Sequence, residues 1–177
     1  MAKQIENEIV LTTVDRKQVE LLHSACMRTY PYYFRDYWEP EGLVSYLQEQ
    51  YSLDRLHQDI DNPNCDYFFI NCRQNPVGYL KLNYRSPIDN LDACELEKIY
   101  LFPGQNNQGF GTKALNKVEE LVHTMKKRFL VLYVLDTNQS GKSFYLRNGY
   151  HKIGTHQLTY SRFKLALRGL DLMSKEV

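Results

Sequence analysis

Glu95-Leu96-Glu97-Lys98-Ile99-Tyr100-Leu101-Phe102-Pro103, then Gly104 to Asn107, then Gln108-Gly109-Phe110-Gly111-Thr112 is the stretch that decides the fold. Its first part is β-rich and stops at Pro103-Gly104. After Gly111, Ala114, Leu115, Val118, Leu121, Val122 and Met125 recur at helical spacing. The segment is therefore a strand, a loop and a helix start. The first amides of a helix lack partners within it and carry positive partial charge. Gly109 and Gly111 remove side chains that would hold an anion away, so the spacing predicts a pyrophosphate-binding turn. Glu95 and Glu97, two residues apart on a strand, project to one face.

Elements of both kinds flank this segment. Ile9 to Val14 reads as a strand, and Asp15 with Gln18 forms a capping box for a helix whose apolar stripe is Val19, Leu22, Cys26 and Tyr30. That helix is expected to end where Pro31 disturbs it, which makes Tyr32 to Glu41 an aromatic connection. Gly42 to Asp61 is helical, with Ser52 a break or new cap. Tyr67 to Arg73 and Val77 to Tyr84 form a hairpin around Gln74-Asn75-Pro76. Lys126-Lys127-Arg128 suits the C-terminal end of the helix that follows Gly111. Phe129 to Leu135 is wholly apolar, as in a strand covered on both faces, and Ser140 to Asn148 is a short helix closed by Gly149. Tyr150 to Tyr160 and Leu165 to Met173 are extended. No repeat or low-complexity segment interrupts the chain, and 1–177 reads as one domain.

Composition narrows the function. The chain has 177 residues, 43% hydrophobic and 24% charged, and a net charge of +1, so no broad basic field draws it to nucleic acid or anionic membrane. Its longest apolar run, Phe129 to Leu135, is far shorter than the roughly 20 residues of a spanning helix. Met1 to Glu8 has no apolar core of a signal peptide, which points to the cytoplasm. Cys26, Cys65, Cys72 and Cys94 form no CxxC pair and the five histidines form no HExxH, so reduced thiols and no metal site are expected. Asp136 to Ser143 ends in Gly-Lys-Ser as a phosphate loop does. Asp136, however, stands where that loop needs its first glycine, which argues against an NTPase.

In order along the chain, from Ile9 to about Met173, these segments resemble the GNAT superfamily of N-acetyltransferases. Asn106-Asn107-Gln108-Gly109-Phe110-Gly111 fills the family's Gln/Arg-x-x-Gly-x-Gly/Ala signature except at its first position, Asn106. Asn138 followed by Ser143 to Tyr150 looks like the family's Phe-Tyr-x-x-x-Gly-Phe segment, with Tyr150 in the last aromatic place. The resemblance implies an α/β (α+β) fold in which helices flank a mixed, bent β-sheet splayed between the strands ending at Leu101 and Leu135. Acetyl-CoA would lie in that opening. Its pantetheine would pair with Ile99, Tyr100 and Leu101 and its pyrophosphate would meet the amides of Gln108 to Thr112. Asn138 would hold the pantetheine end, with Lys142 as a neighbour and Lys113 or Lys117 near the 3′-phosphate.

The resemblance also implies direct transfer of acetyl to a primary amine in a ternary complex. Such a transfer needs a base for the ammonium and an acid for the departing thiolate. Tyr145 matches the acid, and Glu97 or Glu95 is the candidate base. The branch most similar is the bacterial spermidine/spermine acetyltransferases, so polyamine is the first expectation. Tyr33, Asp36, Tyr37 and Trp38 would supply a cation-binding wall. An aminoglycoside, a protein N-terminus and a non-catalytic CoA sensor or docking module are the alternatives. A strand such as Leu165 to Met173 is a candidate for pairing across a homodimer.

Overall fold

The computed structural model describes residues 8–177. The N-terminal stretch read for a targeting signal therefore lies, apart from Glu8, outside the described residues. The elements run β1 (Ile9–Thr13), α1 (Val19–Phe34), α2 (Gly42–Tyr51), α3 (Leu53–Ile60), β2 (Cys65–Cys72) and β3 (Asn75–Asn83). They continue with β4 (Ala93–Leu101), α4 (Phe110–Thr124), β5 (Phe129–Leu135), α5 (Gln139–Arg147), β6 (His151–Gln157) and β7 (Gly169–Glu176). Among the described residues no helix is long and apolar enough to cross a membrane.

Local chemistry sets several boundaries. Asp15 accepts from the amides of Lys17 and Gln18 at 2.9 and 3.1 Å, and Gln18 Oε1 accepts from the Asp15 amide at 3.1 Å, which completes the capping box. Ser52 does break the second helical stretch: its Oγ accepts from the Arg55 amide at 3.3 Å and starts α3. Pro31 does not end α1. The helix continues to Phe34, and the Arg35 amide still bonds to the Pro31 carbonyl. The proline forgoes only its own bond to the partly exposed turn before it, while ring contacts of Tyr30 with Phe34, Tyr46 and Tyr51 hold the last turn. Tyr32, Tyr33 and Phe34 are thus helical rather than part of a connection. The hairpin turn also shifts: Arg73 and Gln74 take φ of 50° and 66°, and Asn75-Pro76 already belongs to β3. At the far end, α4 stops at Thr124. Lys127 and Arg128, past its end, pair with Asp92 and Glu176 at 2.8 and 3.0 Å.

One seven-stranded sheet has the order β1-β2-β3-β4-β5-β7-β6. β1 to β4 are antiparallel neighbours, β4 and β5 are parallel, and β5, β7 and β6 are antiparallel again. This is a mixed α/β sheet with helices on both faces. On one face α4 packs Ala114, Leu115, Val118 and Val122 against Leu80, Leu82, Leu96 and Leu130. On the other, α1 to α3 bring Leu22, Cys26, Leu47 and Leu56 onto Tyr67, Phe69 and Tyr79. All four cysteines are buried and unpaired. β7 lies between β5 and β6 with both edges occupied, so it cannot pair across a dimer; the open edge at this end is β6.

Two irregularities of β4 position everything that follows. It pairs with β5 only over Ala93–Phe129, Cys94–Leu130 and Glu95–Val131, so beyond Glu95 the parallel strands part and leave a wedge down to Leu101 and Leu135. Against β3 the register slips: Lys81 faces Lys98 and Leu82 faces Leu96, which leaves Glu97 as the extra residue of a β-bulge.

Candidate active site

The bulge reverses the alternation of β4. Leu96, Ile99 and Leu101 belong to the α4 face, while Tyr100 packs among the rings of the α1–α3 face. Glu95, Glu97 and Lys98 join Tyr100 there, so the two glutamates do share a face, with a lysine beside them. Asn83 Nδ2 donates to Glu95 Oε2 at 2.8 Å and to Glu97 Oε2 at 2.9 Å. Lys81 Nζ lies 2.9 Å from Glu97 Oε2 and 2.9 Å from Asp59 Oδ2, and Lys98 pairs with Glu97 Oε1. Both lysine side chains are buried, and each stands over a tyrosine ring, Lys81 over Tyr67 and Lys98 over Tyr51.

The two carboxylates consequently differ in basicity. Burial alone would raise Glu97, but the charges and hydrogen bonds of Lys98 and Lys81 override it and hold the group down at about 2. Burial raises Glu95, its bond from Asn83 offsets part of that, and the charge of Glu97 adds to the rise. Of the two, Glu95 is the better proton acceptor and Glu97 a fixed anion.

The wedge supplies the other parts. The Phe102 amide bonds to the Val77 carbonyl at 2.8 Å and Tyr100 stands opposite Tyr79. Antiparallel alternation then turns the N–H and C=O of Ile99 and Leu101 toward the unpaired edge, and those of Tyr100 toward β3. An extended amide-bearing chain can pair with that edge at Ile99 and Leu101 but not at Tyr100. Beyond it, Gly104, Asn107 and Gly109 have φ of 85°, 63° and 78°, and Gly109 caps α4, whose first amides belong to Phe110, Gly111 and Thr112. A Cβ on Gly109 would meet nothing within 4 Å, so the space before these amides is open. At Gly111 a Cβ would make ordinary contact with the Phe144 ring of α5, 3.4 Å away.

On α5, Tyr145 packs edge-on to Phe144 and Tyr150, with ring centroids 5.1 and 5.7 Å apart. Burial pushes its phenol up, so it is protonated at neutral pH. Tyr145 is partly buried against the α4-face core, to which Ile99 and Leu101 of β4 also belong. Among the described residues no hydrogen bond engages the Tyr145 hydroxyl.

Other sequence candidates fall into different roles. Asn138 Oδ1 accepts from the Gly141 amide at 2.9 Å and caps α5. The Lys142 ammonium is held 3.0 Å from Asp171 and donates to the Asp136 carbonyl at 3.1 Å, so its charge turns into β7. Lys117 pairs with Glu120 at 2.8 Å. The proposed cation wall disperses. Trp38 is core, 7% exposed and packed on Tyr46 and Phe163. Tyr37 packs on Phe34 and Phe163, and Asp36 offers its carbonyl to Lys164 at 2.7 Å. Tyr33 instead reaches the CoA-type side: its hydroxyl donates to the Leu101 carbonyl at 2.9 Å and meets the Asn106 side chain at 3.0 Å, tying α1 to the turn. Sequence reasoning missed Asn83, Lys81 and Lys98. The signal for the two lysines was their place inside strands, Lys81 between apolar residues of β3 and Lys98 beside the glutamates of β4.

A bulged strand, a wedge and an amide-lined helix start are the arrangement of an acyl-CoA-dependent transferase, and the profile of the acetyltransferase (GNAT) family matches residues 27–150. The chain belongs to that family. It is an acyltransferase of the N-acetyltransferase type. A spermidine N(1)-acetyltransferase of Thermoplasma acidophilum is 25% identical over 141 residues, 76% of this chain and 83% of that one. An uncharacterized N-acetyltransferase of Lactobacillus delbrueckii subsp. lactis is 27% identical over 121 residues, 66% of this chain and 69% of that one. Among solved structures, the PaiA N-acetyltransferase of Thermoplasma acidophilum in complex with coenzyme A superposes with a TM-score of 0.74 at 20% identity, covering 96% of this chain and 99% of that one. The spermidine N-acetyltransferase of Vibrio cholerae in complex with CoA and spermine gives 0.70 at 17% identity, covering 96% and 95%. At these identities the superpositions establish the fold.

Proposed function

We propose that the protein transfers the acetyl group of acetyl-CoA to a primary amine of a small molecule by direct attack in a ternary complex. The observation that carries this reading is the wedge itself, with Glu95 at the point where β4 leaves β5 and Tyr145 on α5, the helix that follows β5. Pantetheine pairs with the open edge at Ile99 and Leu101, displacing the Tyr33 hydroxyl from the Leu101 carbonyl. The pyrophosphate meets the amides of Gln108 to Thr112, where helix-start charge favours an anion. Glu95 takes a proton from the incoming ammonium, directly or through a water, and frees the nitrogen lone pair. The nitrogen attacks the thioester carbon, and the Ile99 amide, aimed at the wedge, stabilises the oxyanion. As the tetrahedral species collapses, the C–S bond breaks, Tyr145 gives its proton to the departing sulfur, and the second proton shed by the acetylated nitrogen returns to the Tyr145 phenolate, directly or through water.

Spermidine and spermine stand first among the acceptors because of what the Thermoplasma and Vibrio proteins act on or bind. The test is acetyl-CoA-dependent thiol release with spermidine, spermine and a panel of primary monoamines, against a no-amine control. Saturable release with at least one amine is expected, with polyamines the best acceptors. Monoamines outperforming polyamines would discard the polyamine assignment, and no release with any amine would discard the small-amine reading.

A further inference from the structure

Asn83 ends β3 directly opposite Glu95, and the bulge brings Glu97 to the same side of it. One nitrogen therefore serves two carboxylates: Nδ2 donates one N–H to Glu95 Oε2 at 2.8 Å and the other to Glu97 Oε2 at 2.9 Å. The two acceptors are unequal. Glu97 is fixed from both sides, by Lys81 at 2.9 Å on Oε2 and by Lys98 on Oε1, and Lys81 is in turn fixed by Asp59 at 2.9 Å. Glu95 has Asn83 as its one hydrogen-bond donor among the described residues. An amide anchored on an immobile anion thus presents its second N–H to a carboxylate that has no other tether.

We propose that Asn83 is the positioning residue that aims Glu95 at the wedge and keeps it ionised, with Glu97 acting as the amide's anchor rather than as the base. This rests on the amine-acetylation reading above. The charged and titratable groups facing Glu95 are Glu97 and Lys98 from β4, Lys81 from β3 and Tyr133 from β5, whose phenol is raised by burial and then by Glu95's charge. Burial and Glu97 both favour the protonated form of Glu95; the Asn83 N–H opposes them first, by bonding to the ionised form, and the charges of Lys98 and Lys81 add to it. A neutral amide does this without adding a charge to an already crowded site. A lysine in its place would fix Glu95 as firmly as Glu97 is fixed and weaken it as a base.

The pH dependence of kcat/KM, measured with the best amine of the panel, and a carbon-13 NMR titration of the Glu95 carboxyl test this in the parent, Asn83→Ala and Asn83→Asp. Glu95→Gln supplies the NMR assignment, and melting curves show that each variant folds. Both the acid limb and the carboxyl midpoint should move upward in Asn83→Ala and further in Asn83→Asp, where a third carboxylate joins the pair. On the acid side of the parent's limb, kcat/KM should fall about threefold or more. A limb and midpoint that stay put in folded Asn83→Ala overturn the proposal, even if kcat drops. So does an acid limb that survives in Glu95→Gln. If the parent acetylates no amine, the amine reading fails by itself, and the NMR midpoint still decides what Asn83 does to Glu95.

Discussion

Tyr145→Phe should bind CoA as the parent does and turn over about 100-fold more slowly at neutral pH, the lower range of what a positioned general acid contributes. The ring's contacts with Phe144 and Tyr150 survive the change, so α5 keeps its packing and only the hydroxyl is lost. That hydroxyl is held protonated by burial and engages no other group among the described residues, which leaves its proton for the sulfur. Without it the sulfur departs as a bare thiolate. Thiol-release kinetics, with calorimetry of CoA binding on the same preparations, separate the two effects. An unchanged kcat would take the acid role from Tyr145, and a parallel loss of CoA affinity would make it a packing residue.

Glu97→Ala should destabilise the fold by about 3–5 kcal/mol, the usual result of removing one partner from a buried ion pair. Lys81 retains Asp59, but the Lys98 side chain, 6% exposed, loses its carboxylate and stays buried beside Tyr51. Against a total stability of about 5–15 kcal/mol this is large, and the melting temperature should fall by roughly 10 °C. The pH dependence follows from Glu97 lying at about 2 when folded against an ordinary 4.5. Its contribution is complete above about pH 4.5 and disappears as pH falls toward 2, so parent and variant should converge in that window. Glu97→Leu combined with Lys98→Met should recover most of the loss, because a matched apolar pair removes the stranded Lys98 charge while Lys81 keeps Asp59. A melting temperature unchanged by Glu97→Ala would mean that the lysines are not held as described.

The sequence made the strand-turn-helix segment, the capping box at Asp15 and the shared face of Glu95 and Glu97 legible, because each depends on residues a few positions apart. The bulge was hidden. Plain alternation groups Ile99 and Leu101 with the glutamates, and only the pairing of β4 with β3, a long-range fact, shows that Glu97 is the extra residue and Lys98 its neighbour. Lys81 and Lys98 escaped notice for the same reason: alternation does not show that a lysine in an apolar strand faces a carboxylate. The aromatic run from Tyr30 to Trp38 misled in the opposite way. Tyr30 and Trp38 are core and Tyr33 braces the turn, since ring-rich segments bury area before they line ligands. Lys142 and Asn138 lay at the expected end of the chain, but their partners Asp171 and the Gly141 amide are visible only in the fold.

The account stands on CoA lying in the wedge with its phosphates at the start of α4, and a calorimetric titration of CoA into the parent, Gly109→Asn and Gly109→Asp tests that most directly. Gly109 sits at φ of 78°, where asparagine and aspartate are both tolerated, so the two variants share any backbone strain and differ in charge. One CoA per chain is predicted for the parent, modest weakening for Gly109→Asn, and at least about 100-fold weakening for Gly109→Asp as a carboxylate meets the phosphates. A parent that binds no CoA, or Gly109→Asp binding as tightly as Gly109→Asn, would contradict it.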